Sequence, residues 1–523
     1  MVGIHGGGFQ MGSGSEALYD GANLAAKEGV MVVTLNYRLG SLGFLQTGPD
    51  GQGGMNGLLD QIRALEWVNR SISSFGGDPA KVTSSGGFGQ SAGSMSICML
   101  SVSPLAKDLF LRAILESAVC INEPTYGMPN SAEKGENLTR QVLEAAKVEN
   151  VEGLKNISVE EVLKASAGLY GGPSWDLSVL PASPADLYSD PAGRINPADM
   201  MIGSNTFDDS MFVPCGGADF SSAYLGGAAN YMTGLRDAIY VPPVYPNGEE
   251  SANEVFDAYS PDDVYNGSNV TAFMQQQGDY QRICFGRELA SAASSNIGGK
   301  IYAYMFGHNP SAVSELCDDP ITATFRDDPT WSFHGAEIPF VFGNPVTSSP
   351  IHWPQGAQPV AQSAEEAALQ REMMARWANF ARSGNPHAPS GNASSVEWEP
   401  VPKHSRAAPE RAAADPPYLF FTGGGSRWIS SNEHKAQQCT PIVRADSAWS
   451  GRCGGRGEQG RSGSGSTLVG SALRALRKRS GRTQGHLRSV RGLQGEGDAA
   501  AMLQVSGAAP RAPRGAGDAG QEL

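Results

Sequence analysis

Residues 81–100, KVTSSGGFGQSAGSMSICML, hold the run Gly89, Gln90, Ser91, Ala92, Gly93, which is GxSxG. Glycine weakens regular structure unless the backbone needs angles that other residues refuse, so small residues on both sides of one serine ask for a reason. KVT before the run reads as a strand, and SMSICML after it reads as a helix. A serine on a sharp turn between a strand and a helix is the arrangement of a nucleophile elbow, which lifts the hydroxyl clear of its own backbone. Short GxSxG matches arise by chance, so the flanking chain has to carry the reading.

Outward from the elbow, strand-like and helix-like segments alternate, as in a parallel sheet covered by helices. VGI at 2–4 and VMVVTLNYR at 30–38 read as buried strands, with a helix expected over 15–29. A second helix is expected over 56–72, where Leu58, Leu59, Ile62, Leu65 and Val68 fall on one face. FGGDP at 75–79 turns the chain towards the serine.

Composition divides the 523 residues in two. Residues 451–523 contain no Phe, Tyr or Trp, hold 17 glycines, and carry 12 Lys and Arg against 5 Asp and Glu. The chain as a whole stands at −14, so the body before this tail is strongly acidic. A tail of this kind buries too little apolar surface to offset its ordering entropy and is expected to be disordered. An acidic body excludes the electrostatic footprint of a nucleic-acid binder, and its negative charge bears mainly on solubility. No apolar run has the length of a membrane-spanning helix.

The opening MVGIHGGGF lacks the pattern of a secretory leader. Six Asn-x-Ser/Thr sites, at Asn69, Asn137, Asn156, Asn266, Asn269 and Asn392, nevertheless point to secretion. The seven cysteines match no metal spacing, and their odd number leaves any disulfide pairing open.

HGGGF (5–9), NYRLGSLGFL (36–45), DQIRALEWV (60–68), FGGDP and GQSAGS (89–94) together resemble the type-B carboxylesterase family, which includes cholinesterases and related lipases. The likeness continues through SPLAKDLFLRAILES (103–117), VLPASP (179–184), WSFHGAEIPFVFG (331–343) and WANFARSGNP (377–386), then fades near Trp449. It implies an α/β-hydrolase fold over 1–445, with a mostly parallel central sheet flanked by helices, and 446–523 as the disordered tail. It also implies a serine hydrolase that cleaves small-molecule or lipid carboxylic esters through an acyl-enzyme, without metal or cofactor. A catalytically silent adhesion module and a truncated product without a stable fold are the other readings.

Residue by residue, the resemblance implies Ser91 as nucleophile and His334, within HGAEIPFVFG, as general base and then acid. In MMIGSNTFDDSMF (200–212), aligning Asn205 with the family asparagine puts Asp208 on the acid position, normally a glutamate, and Asp209 where the family usually has glycine; Asp208 is the choice, although either carboxylate could orient the imidazole. Oxyanion donors would be the backbone N–H groups of Gly7, Gly8 and Ala92. His5 is expected to support the glycine loop, and Ser117 matches a family serine that often contacts the acid, with packing as the equal alternative.

Two departures from the family carry expectations for the fold. The chain starts at the HGGG loop, so the family's N-terminal edge strands would be missing and the 30–38 strand would become a bare apolar edge. SSGG (84–87) stands where the family has about one residue, and extra glycines in a central strand weaken it or force a bulge.

Overall fold

The computed structural model describes residues 1–48, 52–84, 89–121, 132–169, 172–174, 176–190, 195–211, 248–260, 269–310, 328–345, 361–387, 396–403, 418–429, 439 and 504–506. Nine strands among them form one sheet: β1 (Val2–Ile4), β2 (Val32–Leu35), β3 (Thr83–Ser84), β4 (Arg112–Glu116), β5 (Asp199–Asn205), β6 (Ile301–Phe306), β7 (Tyr418–Phe421), β8 (Arg427–Ile429) and β9 (Gln504–Ser506). Their spatial order is β8-β7-β6-β5-β4-β3-β1-β2-β9. All pairings from β2 to β7 are parallel, and β8 and β9 close the two edges antiparallel.

Side-chain alternation along the strands divides the core between the two faces of the sheet. On β6, Ile301, Ala303 and Met305 join one buried cluster, whereas Tyr302, Tyr304 and Phe306 join the other. β4 and β7 divide in the same way, Ala113 and Leu115 against Ile114, Tyr418 and Phe420 against Leu419 and Phe421. Both faces are therefore covered, which is why these strands read as nearly unbroken apolar runs. One face is rich in aromatic rings: Trp377 lies 5.0 Å from Tyr304, 5.8 Å from Phe421 and 6.2 Å from Trp398, between ring centroids.

From β1 the chain steps outward to β2, then crosses back over β1 to β3. Such a reversal opens a crevice beyond the carboxyl ends of the strands. The HGGGF loop leaves β1 at this point, and Ser91 follows β3.

Several expectations change. The predicted 15–29 helix is broken into a 3₁₀ turn, Ala17–Tyr19, and a helix, Ala22–Glu28. Asp20 Oδ1 accepts the Ala22 N–H at 3.0 Å and starts the helix afresh. The edge at β2 is not bare. β9 pairs with it in the register Val32↔Ser506, Val33↔Val505 and Thr34↔Gln504. An open strand edge is a template for any extended segment with matching donors and acceptors, and Gln504–Ser506 answers it. These three residues fall within the 446–523 tail, the rest of which lies outside the described residues. β3 is only two residues long, and the SSGG continuation after Ser84 also lies outside them.

Among the described residues two disulfides form, Cys98–Cys120 and Cys284–Cys439, a pairing the sequence left open. No helix among the described residues is long and apolar enough to cross a membrane.

Candidate active site

Ser91 precedes the helix Ala92–Val102 with φ 61° and ψ −120°. A non-glycine residue at such angles stores on the order of 1–3 kcal/mol and persists only where its surroundings hold it. Here the Ser91 N–H donates to Glu116 O at 3.0 Å, and Ser91 O accepts from Met95 N at 2.9 Å. Gln90 adds a parallel bridge to Glu116, so the elbow is tied to the end of β4. The second motif glycine is needed for close approach: a Cβ on Gly93 would lie 2.1 Å from Ile4 O of β1. The Cys98–Cys120 bridge and the bond from Ser94 Oγ to Ala118 O, 2.6 Å, moor the same helix to the segment after β4.

The glycine loop curls over this turn. Gly7 has φ 108° and Gly8 φ 61°, and Gly7 O accepts from Gln10 N and Met11 N at 3.0 and 3.1 Å. A Cβ on Gly6 would sit 2.7 Å from Gln90 O and 3.4 Å from Ser91 Cβ, which brings the loop against the Ser91 turn. His5 props it from behind, its Nδ1–H donating to Gly6 O at 2.8 Å and its ring stacked 4.5 Å from Tyr37. Burial lowers its pKa to about 4, so it stays neutral at physiological pH. Ala92 is the first residue of the helix, where backbone N–H groups have no partner within the helix and carry the positive end of its dipole.

Asp208 begins a 3₁₀ turn directly after β5. Its Oδ1 lies 2.5 Å from His334 Nδ1, with both side chains buried, and its Oδ2 accepts the Asn205 N–H at 2.8 Å. Asp208 thus reaches His334 although its side chain is one methylene shorter than glutamate. The acid turn and the histidine segment are stitched along their length. Thr206 Oγ1 donates to Thr330 O at 2.5 Å, Phe207 N to Ser332 O at 3.1 Å, and Trp331 Nε1 to Ser210 Oγ at 3.1 Å. Gly335, next to His334, faces Gln90: a Cβ there would lie 3.7 Å from Gln90 Nε2. The histidine segment, the elbow and the glycine loop thereby meet at one end of the sheet.

Asn205, used in the sequence only as an alignment mark, has a larger part. Its amide donates to Phe333 O at 2.7 Å and to Glu337 Oε2 at 2.5 Å, while its backbone holds Asp208. Burial and the neighbouring Asp208 charge push Glu337 up to about 8, against the lowering pull of Asn205. Burial and the Glu337 charge likewise push Glu116 well up, although Trp377 Nε1 donates to its Oε1 at 2.6 Å. Ser117 lies beside Glu337, and its hydroxyl makes no hydrogen bond with Asp208.

Asp208, Asp209 and His334 also bring ligand atoms within 4.8 Å of one another. Asp208 and His334 are joined to each other, and Arg282 Nε stands 3.4 Å from Asp209 Oδ1. A buried guanidinium there opposes a second cation. Neither Arg282 nor Glu337 was legible in the sequence: one is one of two arginines in a helical stretch rich in polar residues, the other a glutamate in an otherwise apolar run. A cleft of about 810 Å³, lined in part by Pro79, Phe110, Asn196 and Asn296, lies at the opposite, amino ends of β4 and β5, away from these groups.

Residues 1–411 match the model of the carboxylesterase family. The chain is 30% identical over 410 residues to the para-nitrobenzyl esterase of Bacillus subtilis, covering 75% of this chain and 72% of that protein. It is 31% identical over 428 residues to the cholinesterase of Mus musculus, covering 76% and 63%, so it spans less than two thirds of that relative. Among solved structures it resembles a PNB esterase, with a TM-score of 0.61 at 26% identity over 84% of this chain and 81% of the other. A carboxylesterase of Geobacillus stearothermophilus gives a TM-score of 0.62 at 25% identity over 86% and 82%. With the strand order and the elbow, these matches make the chain a member of the carboxylesterase family, of the α/β-hydrolase fold.

Proposed function

We propose that the protein hydrolyses carboxylic esters through an acyl-enzyme formed on Ser91, with His334 as base and Asp208 as the acid that orients it. The observation that carries this reading is the buried 2.5 Å contact between His334 Nδ1 and Asp208 Oδ1, on the segment whose next residue faces the Ser91 elbow. Family kinship supports the reaction class.

Ser91 Oγ attacks the ester carbonyl while its proton passes to His334 Nε2. Asp208 accepts from Nδ1–H, fixes the tautomer and stabilises the imidazolium. The oxygen that becomes negative is met by the N–H groups of Gly7, Gly8 and Ala92; one such donor is worth about 3 kcal/mol in the transition state. Collapse breaks the bond to the alcohol, which leaves with the proton from His334. Water, deprotonated by the same imidazole, then attacks the acyl carbon and releases the carboxylic acid and free Ser91.

The substrates are small-molecule or lipid esters. The disulfides and the six Asn-x-Ser/Thr sites support a secreted protein made in an oxidising compartment. A fluorophosphonate probe tests the mechanism: the native chain should be labelled on Ser91, and Ser91→Ala and His334→Ala should be neither labelled nor active. A folded native chain that resists the probe rejects the reading.

A further inference from the structure

One position past the triad acid, a second carboxylate is buried with nothing in the proposed mechanism to do. Asp209 is 2% exposed, and its carboxylate approaches both Asp208 and His334. A charge so placed acts on the imidazole whether or not it touches it.

Arg282 faces it, its Nε 3.4 Å from Asp209 Oδ1, with side chains only 7% and 3% exposed. That separation is longer than a charge-assisted hydrogen bond, so the pair acts mainly through charge. A π-helical turn, Asp279–Ile283, lies between Asn269–Gly278 and Cys284–Ser294, and it is within this turn that Arg282 sits. An inserted π turn re-aims side chains along a helix and recurs at functional sites. The same helix clasps the acid segment. Gln275 Nε2 donates to Thr206 O at 3.0 Å, Ser204 Oγ to Arg282 O at 3.3 Å, and a Cβ on Gly278 would lie 3.2 Å from Asp209 N. A buried ion pair is poor value as a stabiliser, because desolvation consumes most of its attraction.

We propose that Arg282 and Asp209 are a charge-balancing pair that sets the basicity of His334, with Arg282 cancelling at the imidazole the negative charge that Asp209 brings. This inference rests on the triad reading above. Other groups face the site as well. Glu337 on the histidine segment, Glu116 on β4 and Tyr304 on β6 are all held towards their neutral forms by burial. The Asp279 carboxylate accepts from Tyr259 OH at 2.6 Å and from Gln275 Nε2 at 2.9 Å. Burial raises the pKa of Asp209 too, and Arg282 and His334 draw it back. Among the described residues, Asp208 and Asp209 are the carboxylates whose oxygens lie within 4.8 Å of the imidazole, and Arg282 is the cation that faces Asp209.

The test is the acid limb of kcat/KM against pH for phenyl acetate hydrolysis in a pH-stat, where activity falls as His334 takes up a proton. Asp209→Asn leaves Arg282 uncompensated and should move the limb down by about one pH unit; Arg282→Met leaves Asp209 uncompensated and should move it up by about as much. The double variant should return to within about 0.3 units of wild type, and Arg282→Lys, which keeps the charge, should stay at the wild-type position. Single variants that lose turnover with an unmoved limb, or shifts of the same sign, overturn the proposal and leave the triad intact. A folded wild-type protein without activity overturns the triad reading and this one with it.

Discussion

Glu337 stands three residues past His334, fully buried, its pKa pushed up from 4.5 to about 8. It therefore keeps its proton in the native state at neutral pH, whereas the unfolded chain releases it. A carboxyl shifted in this direction contributes stability that is complete below about pH 4.5 and is lost as pH rises through about 8. Glu337→Gln keeps the shape and removes the titration. Its thermal midpoint should fall less than that of wild type between pH 5 and pH 9, and parallel declines in the two proteins would show that Glu337 titrates alike folded and unfolded. At this scale the sequence exposed some groups and hid others for a physical reason. Ser91, His334 and Asp208 lie in runs with a distinctive local pattern. Glu337, Asn205 and Arg282 act through contacts made 132 and about 70 residues away in the chain, Glu337 with Asn205 and Arg282 with Asp209, and no local pattern encodes these.

Among elements, the elbow depends most on a contact between backbones. The start of the helix Ala92–Val102 rests on the last residue of β1, with no room for a methyl group at Gly93. Gly93→Ala must push Ile4 and the helix apart, an overpacking of about 1–3 kcal/mol that also turns Ser91 out of line. Fluorophosphonate labelling should slow at least tenfold while the chain remains folded by circular dichroism; undiminished labelling would mean that the site absorbs the shift. The strands and the helix Asn56–Ser71 were readable because their apolar periodicity is long and regular. The break at Asp20 and the pairing of β9 were not, since one is a local capping event and the other joins residues some 470 positions apart. β9 has a consequence of its own. A chain ending at residue 445 should expose the β2 edge, and sedimentation velocity at equal concentration should show self-association that the full chain lacks; a monomer would mean that the edge needs no cover.

At the scale of the molecule, two covalent links among the described residues close loops of very different size. Cys98–Cys120 spans 22 residues between the elbow helix and the segment after β4, while Cys284–Cys439 spans 155 and reaches from the helix that carries Arg282 towards the end of the body. If a disulfide acts by restricting the unfolded chain, the longer loop should stabilise by about 5 kcal/mol and the shorter by about 3 kcal/mol. The shorter bridge has the closer tie to catalysis, because it joins the helix behind Ser91 to the strand end that holds Ser91 N. Cys284→Ser should accordingly lower the midpoint of urea unfolding more than Cys98→Ser does, whereas Cys98→Ser should reduce ester turnover more at a temperature where both variants are folded. Equal losses of stability would mean that native strain, not loop size, governs the bridges. A fall in turnover that follows stability alone in both variants would mean that the elbow holds its shape without the cross-link, on the strength of the Glu116 and Ala118 hydrogen bonds.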